Sequence, residues 1–126
     1  MTNILLLAGA NRFELTPQLN GVSEFARRAH WNVHTIGDLS KQTDVRSLLD
    51  FWKPSGCIVH CATTFNLFTT RIFGRTPVVY IDRDPARLGR NELCVLHDSA
   101  EAGRLAVREL LSLELPNYAY VRYRPQ

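Results

Sequence analysis

Polar side chains that could recognise a small hydroxylated molecule follow three apolar runs of the chain. Asn11 and Phe13 follow the first run, Thr63 follows a later one, and Asp82 with Arg83 follow the next. Hydroxyl groups need paired donors and acceptors, which amides, hydroxyls, carboxylates and guanidinium groups supply. We therefore predict that Asn11 and Asp82 hold ligand hydroxyls and that Arg83 adds a charge-assisted bond. The Phe13 ring would cover an apolar face of the ligand, and Thr63 completes the candidate set.

A plainer interpretation of some of these residues is structural, since Thr63 and Asp82 could simply close turns or cap helices. Other chemistries lack their motifs. Gly9 stands alone, without the glycine patterns that bind dinucleotides or phosphates, and no nucleophile elbow is present. The four histidines lie on different predicted elements and show no metal-ligand spacing: His30, His34, His60 and His97. The sequence thus predicts no metal and no cofactor, and His60 is interpreted as an ordinary buried or rim histidine.

The elements that must position these residues alternate between short apolar runs and helical patterns. Runs rich in Ile, Val and Leu predict buried strands, and polar alternation places one of them nearer a sheet edge. The predicted strands are Ile4–Ala8, Asn32–Ile36, Cys57–Cys61, Pro77–Ile81, Leu93–Leu96 and Tyr118–Tyr123. Helices are predicted to begin at Thr16, to cover Val45–Trp52 and Phe65–Ile72, and to follow a cap at Asp98 with the apolar stripe Ala102, Leu105, Ala106, Leu110 and Leu113.

This alternation predicts an α/β fold, a three-layer doubly wound and mainly parallel sheet. In such sheets ligands bind outside the carboxyl ends of the strands, so the polar residues above would gather along one edge. Composition agrees with a single globular domain, because 126 residues with 45% hydrophobic and 21% charged residues can bury a core. The net charge of +3 is too small to indicate a nucleic-acid surface by itself.

Cysteine usage and hydropathy bear on the compartment. The three cysteines, Cys57, Cys61 and Cys94, are an odd number in apolar runs, which favours buried reduced thiols over a disulfide framework. The amino-terminal apolar run is too short for an export signal, and no run approaches a membrane span. We therefore expect a cytoplasmic protein with no membrane partner.

Taken together, several segments resemble the amino-terminal lobe of the periplasmic-binding-protein-like effector domains in bacterial sugar-responsive repressors of the lactose/galactose-repressor (LacI/GalR) family. The chain looks most similar to xylose-operon regulators, in which such a domain precedes an AraC-type DNA-binding domain. Pro77–Asp82 resembles the family's Pro-Val-Val-x-Ile-Asp strand. The other similar segments are Asn20–Ala26, Lys53–Val59, His97–Leu110 and Tyr118–Val121.

This resemblance implies that residues 1–126 are the amino-terminal lobe of a sugar-binding effector domain. The second lobe and the DNA-binding domain would lie outside this chain. The intact regulator would close on a sugar between its two lobes and so change its affinity for DNA. The resemblance also implies a homodimer, DNA contact only through the missing domain, no catalytic residues and poor sugar affinity for a single lobe.

Two alternatives from other classes stay open at this point. One is a small α/β enzyme that uses Asp82, Arg83 and His97 in acid–base roles, since histidine titrates near neutrality. Consecutive strand residues point to opposite faces, which makes a direct pair between His97 and Asp98 awkward. The other is a flavodoxin-like electron-transfer protein, although the loop after the first strand lacks a hydroxyl-rich phosphate cradle.

Overall fold

A computed structural model describes residues 1–8, 16–37, 42–61 and 69–122 of the chain. The chain divides into two compact units, Met1–Leu96 and His97–Gln126. The first unit contains a five-stranded sheet, and the second contains a long helix. The protein has the predicted α/β class, with helices flanking a parallel sheet as in a three-layer doubly wound fold.

The five strands pair in the order β2-β1-β3-β4-β5, and every neighbouring pair is parallel. Their bounds are β1 Thr2–Leu7, β2 Trp31–Ile36, β3 Gly56–His60, β4 Val78–Ile81 and β5 Leu93–Val95. The predicted parallel pairing is therefore confirmed for these strands, and so is the edge position of the polar strand β2. Because all strands run one way, their carboxyl ends lie along one edge of the sheet.

Helices α1 (Thr16–Ala29) and α2 (Gln42–Trp52) belong to crossovers that proceed in opposite directions across the sheet. Right-handed connections therefore place them on opposite faces. The links from β3 to β4 and from β4 to β5 contain 3₁₀ turns at Thr70–Phe73 and Pro85–Arg87. They proceed in the same direction as the α2 crossover, so the Thr70–Phe73 turn packs beside α2.

The main hydrophobic core lies on the α2 face of the sheet. Period-two alternation directs Leu5 and Leu7 of β1 to this face, together with Val59 and Tyr80 in register on β3 and β4. The buried cluster is Leu5, Leu7, Val45, Cys57, Val59, Ile72, Phe73 and Tyr80. The intervening residues Ile58, His60 and Ile81 belong to the α1 face, which decides where the polar site forms.

One prediction for the carboxyl-terminal part of the chain needs correction. The predicted strand Tyr118–Tyr123 is wrong over its described part, because residues 118–122 form no strand and are exposed. The Tyr118 hydroxyl instead donates to Leu110 O and accepts from Leu115 N, both at 3.2 Å, which closes a local turn. Helix α3 (Ser99–Ser112) contains the predicted stripe as far as Leu110, and none of its residues is buried within its own unit.

The helix starts and stops follow the sequence in part. Asp98 caps α3, since its Oδ1 accepts from Glu101 N at 3.0 Å, as predicted. The predicted helix Phe65–Ile72 lies partly outside the described residues, and its described end is the 3₁₀ turn. Gly74 ends that turn with φ 58°, a conformation that favours glycine, and so fixes the reversal into β4.

Candidate functional site

The candidate site lies at the carboxyl edge of the sheet, where β3 ends at His60 and β4 is followed by Asp82. Asp82 has φ 57°, in the left-handed region that Asp tolerates better than most residues. Its backbone N–H donates to Val95 O at 3.0 Å, which ties this bend to β5. Unfavourable backbone held in place by its surroundings is typical of functional sites.

Two side chains from two elements meet at one carboxylate oxygen of Asp82. Gln18 Nε2 of α1 donates to Asp82 Oδ2 at 3.2 Å. His60 Nε2 of β3 lies 3.5 Å from the same oxygen, a distance at which a protonated imidazole forms an ion pair. The His60 side chain is 12% exposed and that of Asp82 is 30% exposed, so the carboxylate keeps contact with solvent. We call Gln18, His60 and Asp82 the edge triad.

Two atoms of the edge triad are buried without a hydrogen-bond partner among the described residues. They are Gln18 Oε1 and His60 Nδ1. An unsatisfied buried polar atom costs about 1–3 kcal/mol, so such atoms are usually paired with something. When Nε2–H faces Asp82, Nδ1 is a lone-pair acceptor like the amide oxygen. The edge triad therefore combines two buried acceptors, which have no partner in the described part of the chain, with a carboxylate that keeps contact with solvent.

The side chain of Arg83, the residue after Asp82, points away from the edge triad into the protein interior. Arg83 is 4% exposed, and its Nε forms an ion pair with Glu92 Oε2 at 3.0 Å. The Nε–H does not point at that oxygen well enough to count as a hydrogen bond. Its guanidinium carbon lies 4.2 Å from the centroid of the Tyr80 ring, which belongs to the α2-face core. The guanidinium thus supports the loop between β4 and β5 from inside the protein.

Glu92 joins this loop to the rest of the first unit. Gly89 N donates to Glu92 Oε2 at 3.0 Å, and the Thr70 hydroxyl donates to Oε1. Tyr80 Oη lies 2.8 Å from Thr70 Oγ1, which extends the network into β4. Burial raises the pKa of Glu92, but the Thr70 and Gly89 hydrogen bonds and the Arg83 charge outweigh burial and hold that pKa below its ordinary value.

This lowered pKa predicts a pH-dependent stability. A group whose pKa is lower in the folded state contributes stability above its unfolded pKa and loses it as the pH falls through the folded one. We expect the free energy of unfolding to decrease on acidification below the ordinary glutamate pKa of about 4.3. Glu92→Gln should flatten that acid decrease, measured by urea unfolding at several pH values. An equally steep decrease in Glu92→Gln would contradict the assignment, and the exposed Glu109→Gln is the control.

The structure describes two of the five predicted ligand contacts. Asp82 lies in the edge triad, whereas the Arg83 side chain is enclosed behind it. Asn11, Phe13 and Thr63 lie outside the described residues. The prediction of these contacts stays a prediction. Gln18 was not among the predicted contacts. The only sequence signal for it is its position in the first turn of the helix that follows β1.

The three cysteines are free thiols, with Cys57 buried and Cys61 and Cys94 half-buried. Burial raises the pKa of Cys57 to about 11. Burial also raises the pKa of Cys61 to about 11, although a hydrogen bond and the charge of Arg83 oppose it. The Cys57 and Cys61 thiols are therefore protonated and poorly nucleophilic at neutral pH.

Comparisons with known proteins do not identify a family for this chain. No family model matches the chain, and a search of curated proteins finds no match. Within the described ranges, no three His, Cys, Asp or Glu side chains are grouped as metal ligands would be. None of the helices seen in this part of the chain has the length and hydropathy needed to cross a membrane.

Proposed function

We propose that this chain is the amino-terminal lobe of a sugar-sensing effector domain in a bacterial transcription regulator. The observation that supports this most is the edge triad, where Gln18 Oε1 and His60 Nδ1 are buried beside Asp82 at the carboxyl edge and have no hydrogen-bond partner in the described part of the chain. A parallel sheet binds small molecules at this edge. The resemblance described above supplies the ligand class, a sugar, and the biological role.

The chemistry of the edge triad fits a polyhydroxylated ligand. Each sugar hydroxyl carries one donor, and the triad presents an amide oxygen, an imidazole nitrogen and a carboxylate as acceptors. Hydrogen bonds to the Asp82 carboxylate are charge-assisted and roughly twice as strong as neutral ones. The ion pair with Glu92 fixes Arg83, the residue after Asp82, so the backbone that carries Asp82 is positioned before the ligand arrives.

A titration with free sugars followed by NMR tests the proposal on the chain as it stands. We expect D-xylose, compared with D-ribose, D-glucose and D-galactose, to shift the Gln18 side-chain amide and the His60 ring resonances. A single lobe offers half a cleft, so affinities should be weak. Asp82→Asn keeps the shape and tolerates the left-handed backbone, and we expect it to weaken binding about tenfold through loss of the charged acceptor.

Asp84→Asn is the matched control, because Asp84 is half-exposed and accepts from Ala86 N, a role that asparagine can also fill. Equal affinities for Asp82→Asn and Asp84→Asn would exclude the edge triad as the contact. No shift with any of the four sugars would contradict sugar binding by this lobe.

The distance of 3.5 Å between His60 Nε2 and Asp82 Oδ2 favours one further candidate function. A histidine oriented by a carboxylate is the arrangement of a general base, so a small α/β enzyme remains the second proposal. His60 takes the place that His97 had in the sequence analysis, because it is His60 that meets Asp82. The same NMR samples separate the two proposals, since an enzyme would convert the sugar into new resonances and a sensor would return it unchanged.

A further inference from the structure

A second polar groove lies away from the edge triad, between α2 and the Thr70–Phe73 turn. Its volume is about 600 Å³. Lys53 and Pro54 lead from α2 into β3, and Gly74 and Thr76 lead from the turn into β4. Both segments therefore enter the sheet at its amino edge, opposite the edge that carries Asp82. We call this the amino-edge groove.

Three cationic side chains line the amino-edge groove from two walls. Arg46 belongs to α2, Lys53 directly follows the last residue of that helix, and Arg71 belongs to the 3₁₀ turn. One carboxylate, Asp50, also lines the groove. The formal charge of the lining residues is therefore +2.

These cations form no ion pair within the described part of the chain. Asp50 lies four residues after Arg46 on α2, and helix ion pairs form at spacings of three or four residues, yet Asp50 forms an ion pair with neither Arg46 nor Lys53. Elsewhere, at the same spacings, exposed arginines do pair with acids: Arg28 with Glu24, and Arg104 with Glu101. No described residue outside the groove compensates its positive charge through an ion pair.

The floor of the amino-edge groove is apolar. Phe73 and Ile72 are 2% and 7% exposed, and Leu49 lines the groove beside them. An apolar floor beneath a cationic rim suits a molecule with an organic body and an anionic head. Guanidinium groups bind phosphate and carboxylate oxygens with two parallel hydrogen bonds.

We propose that the amino-edge groove binds a small organic phosphomonoester, with its phosphate on Arg46, Lys53 and Arg71 and its apolar body over Phe73. A phosphomonoester carries a charge of about −1.5 to −2 near neutral pH, which matches the formal +2 of the lining. A monocarboxylate would leave part of that charge unmatched. This site is independent of the sugar site, because it uses another edge of the sheet and other residues.

Phenyl phosphate, inorganic phosphate and phenol are the probes, titrated into the ¹⁵N-labelled chain. We expect phenyl phosphate to shift the Gly74 and Thr76 amides and to bind more tightly than either other probe, since only it uses both rim and floor. Added salt should weaken its binding by screening the exposed charges. Binding of inorganic phosphate as tight as that of phenyl phosphate, or no shift with phenyl phosphate, would overturn the proposal.

Arg71→Gln and Arg46→Gln are the test variants, and each is expected to weaken phenyl phosphate binding about fivefold, the upper range for an exposed ion pair. Arg75→Gln is the matched control, because Arg75 is exposed, lies four residues from Arg71 and does not line the groove. An equal loss in Arg75→Gln would mean that net charge alone attracts the probe, which would also overturn the proposal.

A phosphotyrosine peptide titrated in parallel separates two sources of the same chemistry. Binding no tighter than that of phenyl phosphate indicates a free metabolite, as proposed. Much tighter binding would identify a modified protein segment and overturn the small-molecule assignment.

Discussion

Replacing Arg83 with methionine is expected to lower the free energy of unfolding by about 3–5 kcal/mol, the usual cost of removing one partner of a buried ion pair. The Arg83 side chain is 5% exposed and that of Glu92 is 13% exposed. Without the guanidinium, the Glu92 carboxylate stays buried with only its two hydrogen bonds to compensate its charge. Urea unfolding followed by circular dichroism measures the loss.

Arg87→Met supplies the matched control for that experiment. Arg87 pairs with Asp84 at 3.8 Å, but its side chain is 51% exposed, so its loss should cost about 0–1 kcal/mol. The double variant Arg83→Met/Glu92→Gln should recover part of the stability, because it no longer buries an unpaired charge. If Arg83→Met and Arg87→Met lost equal stability, the buried pair would not support the loop as we argue.

The same pair explains why only part of the site could be predicted. Asp82 could be placed because it directly follows a solid apolar run, and parallel strands end at one edge. Arg83 could not be placed from spacing, because Asp82 bends into the left-handed region and its neighbour then turns toward the α2 face. The partner that holds Arg83 there, Glu92, is in a polar loop with no periodic signal.

The sheet itself was predictable, since runs such as Cys57–Cys61 carry no polar alternation and must be covered on both faces. The more polar run of β2 correctly indicated an edge. The tyrosines of residues 118–123 also recur at period two, but the strand predicted from them is wrong. Such a period indicates that a segment can form a strand, and it does not show whether a neighbouring strand is available to pair with it. No neighbouring strand takes up residues 118–122, and the Tyr118 hydroxyl bonds backbone groups of its own unit instead.

The role of His60 could not be predicted for a different reason. The residues around it in the sequence indicate only the end of an ordinary buried strand. Its importance comes from Gln18, which lies 42 positions earlier on another element and donates to the same Asp82 oxygen that His60 faces. A contact made only through the fold has no local pattern. The edge triad is therefore apparent only from the fold, which brings Gln18 of α1 and His60 of β3 to the same Asp82 oxygen.

The second large effect is expected at Phe73, which packs in the α2-face core from the 3₁₀ turn. Phe73→Ala should lower the free energy of unfolding by about 3–5 kcal/mol, because a fully buried ring is lost and the cavity cannot collapse. Thermal and urea unfolding provide the measurement.

Phe51→Ala is the matched control, since Phe51 is 76% exposed and meets Trp52 only edge-on, with ring centroids 5.1 Å apart. Its loss should cost about 1 kcal/mol or less. Phe73→Leu, which keeps most of the apolar volume, should lie between the two. Because Phe73 is also the floor of the amino-edge groove, Phe73→Leu should stay folded and still weaken phenyl phosphate more than inorganic phosphate. Similar losses for Phe73→Ala and Phe51→Ala would mean that the 3₁₀ turn does not anchor the core.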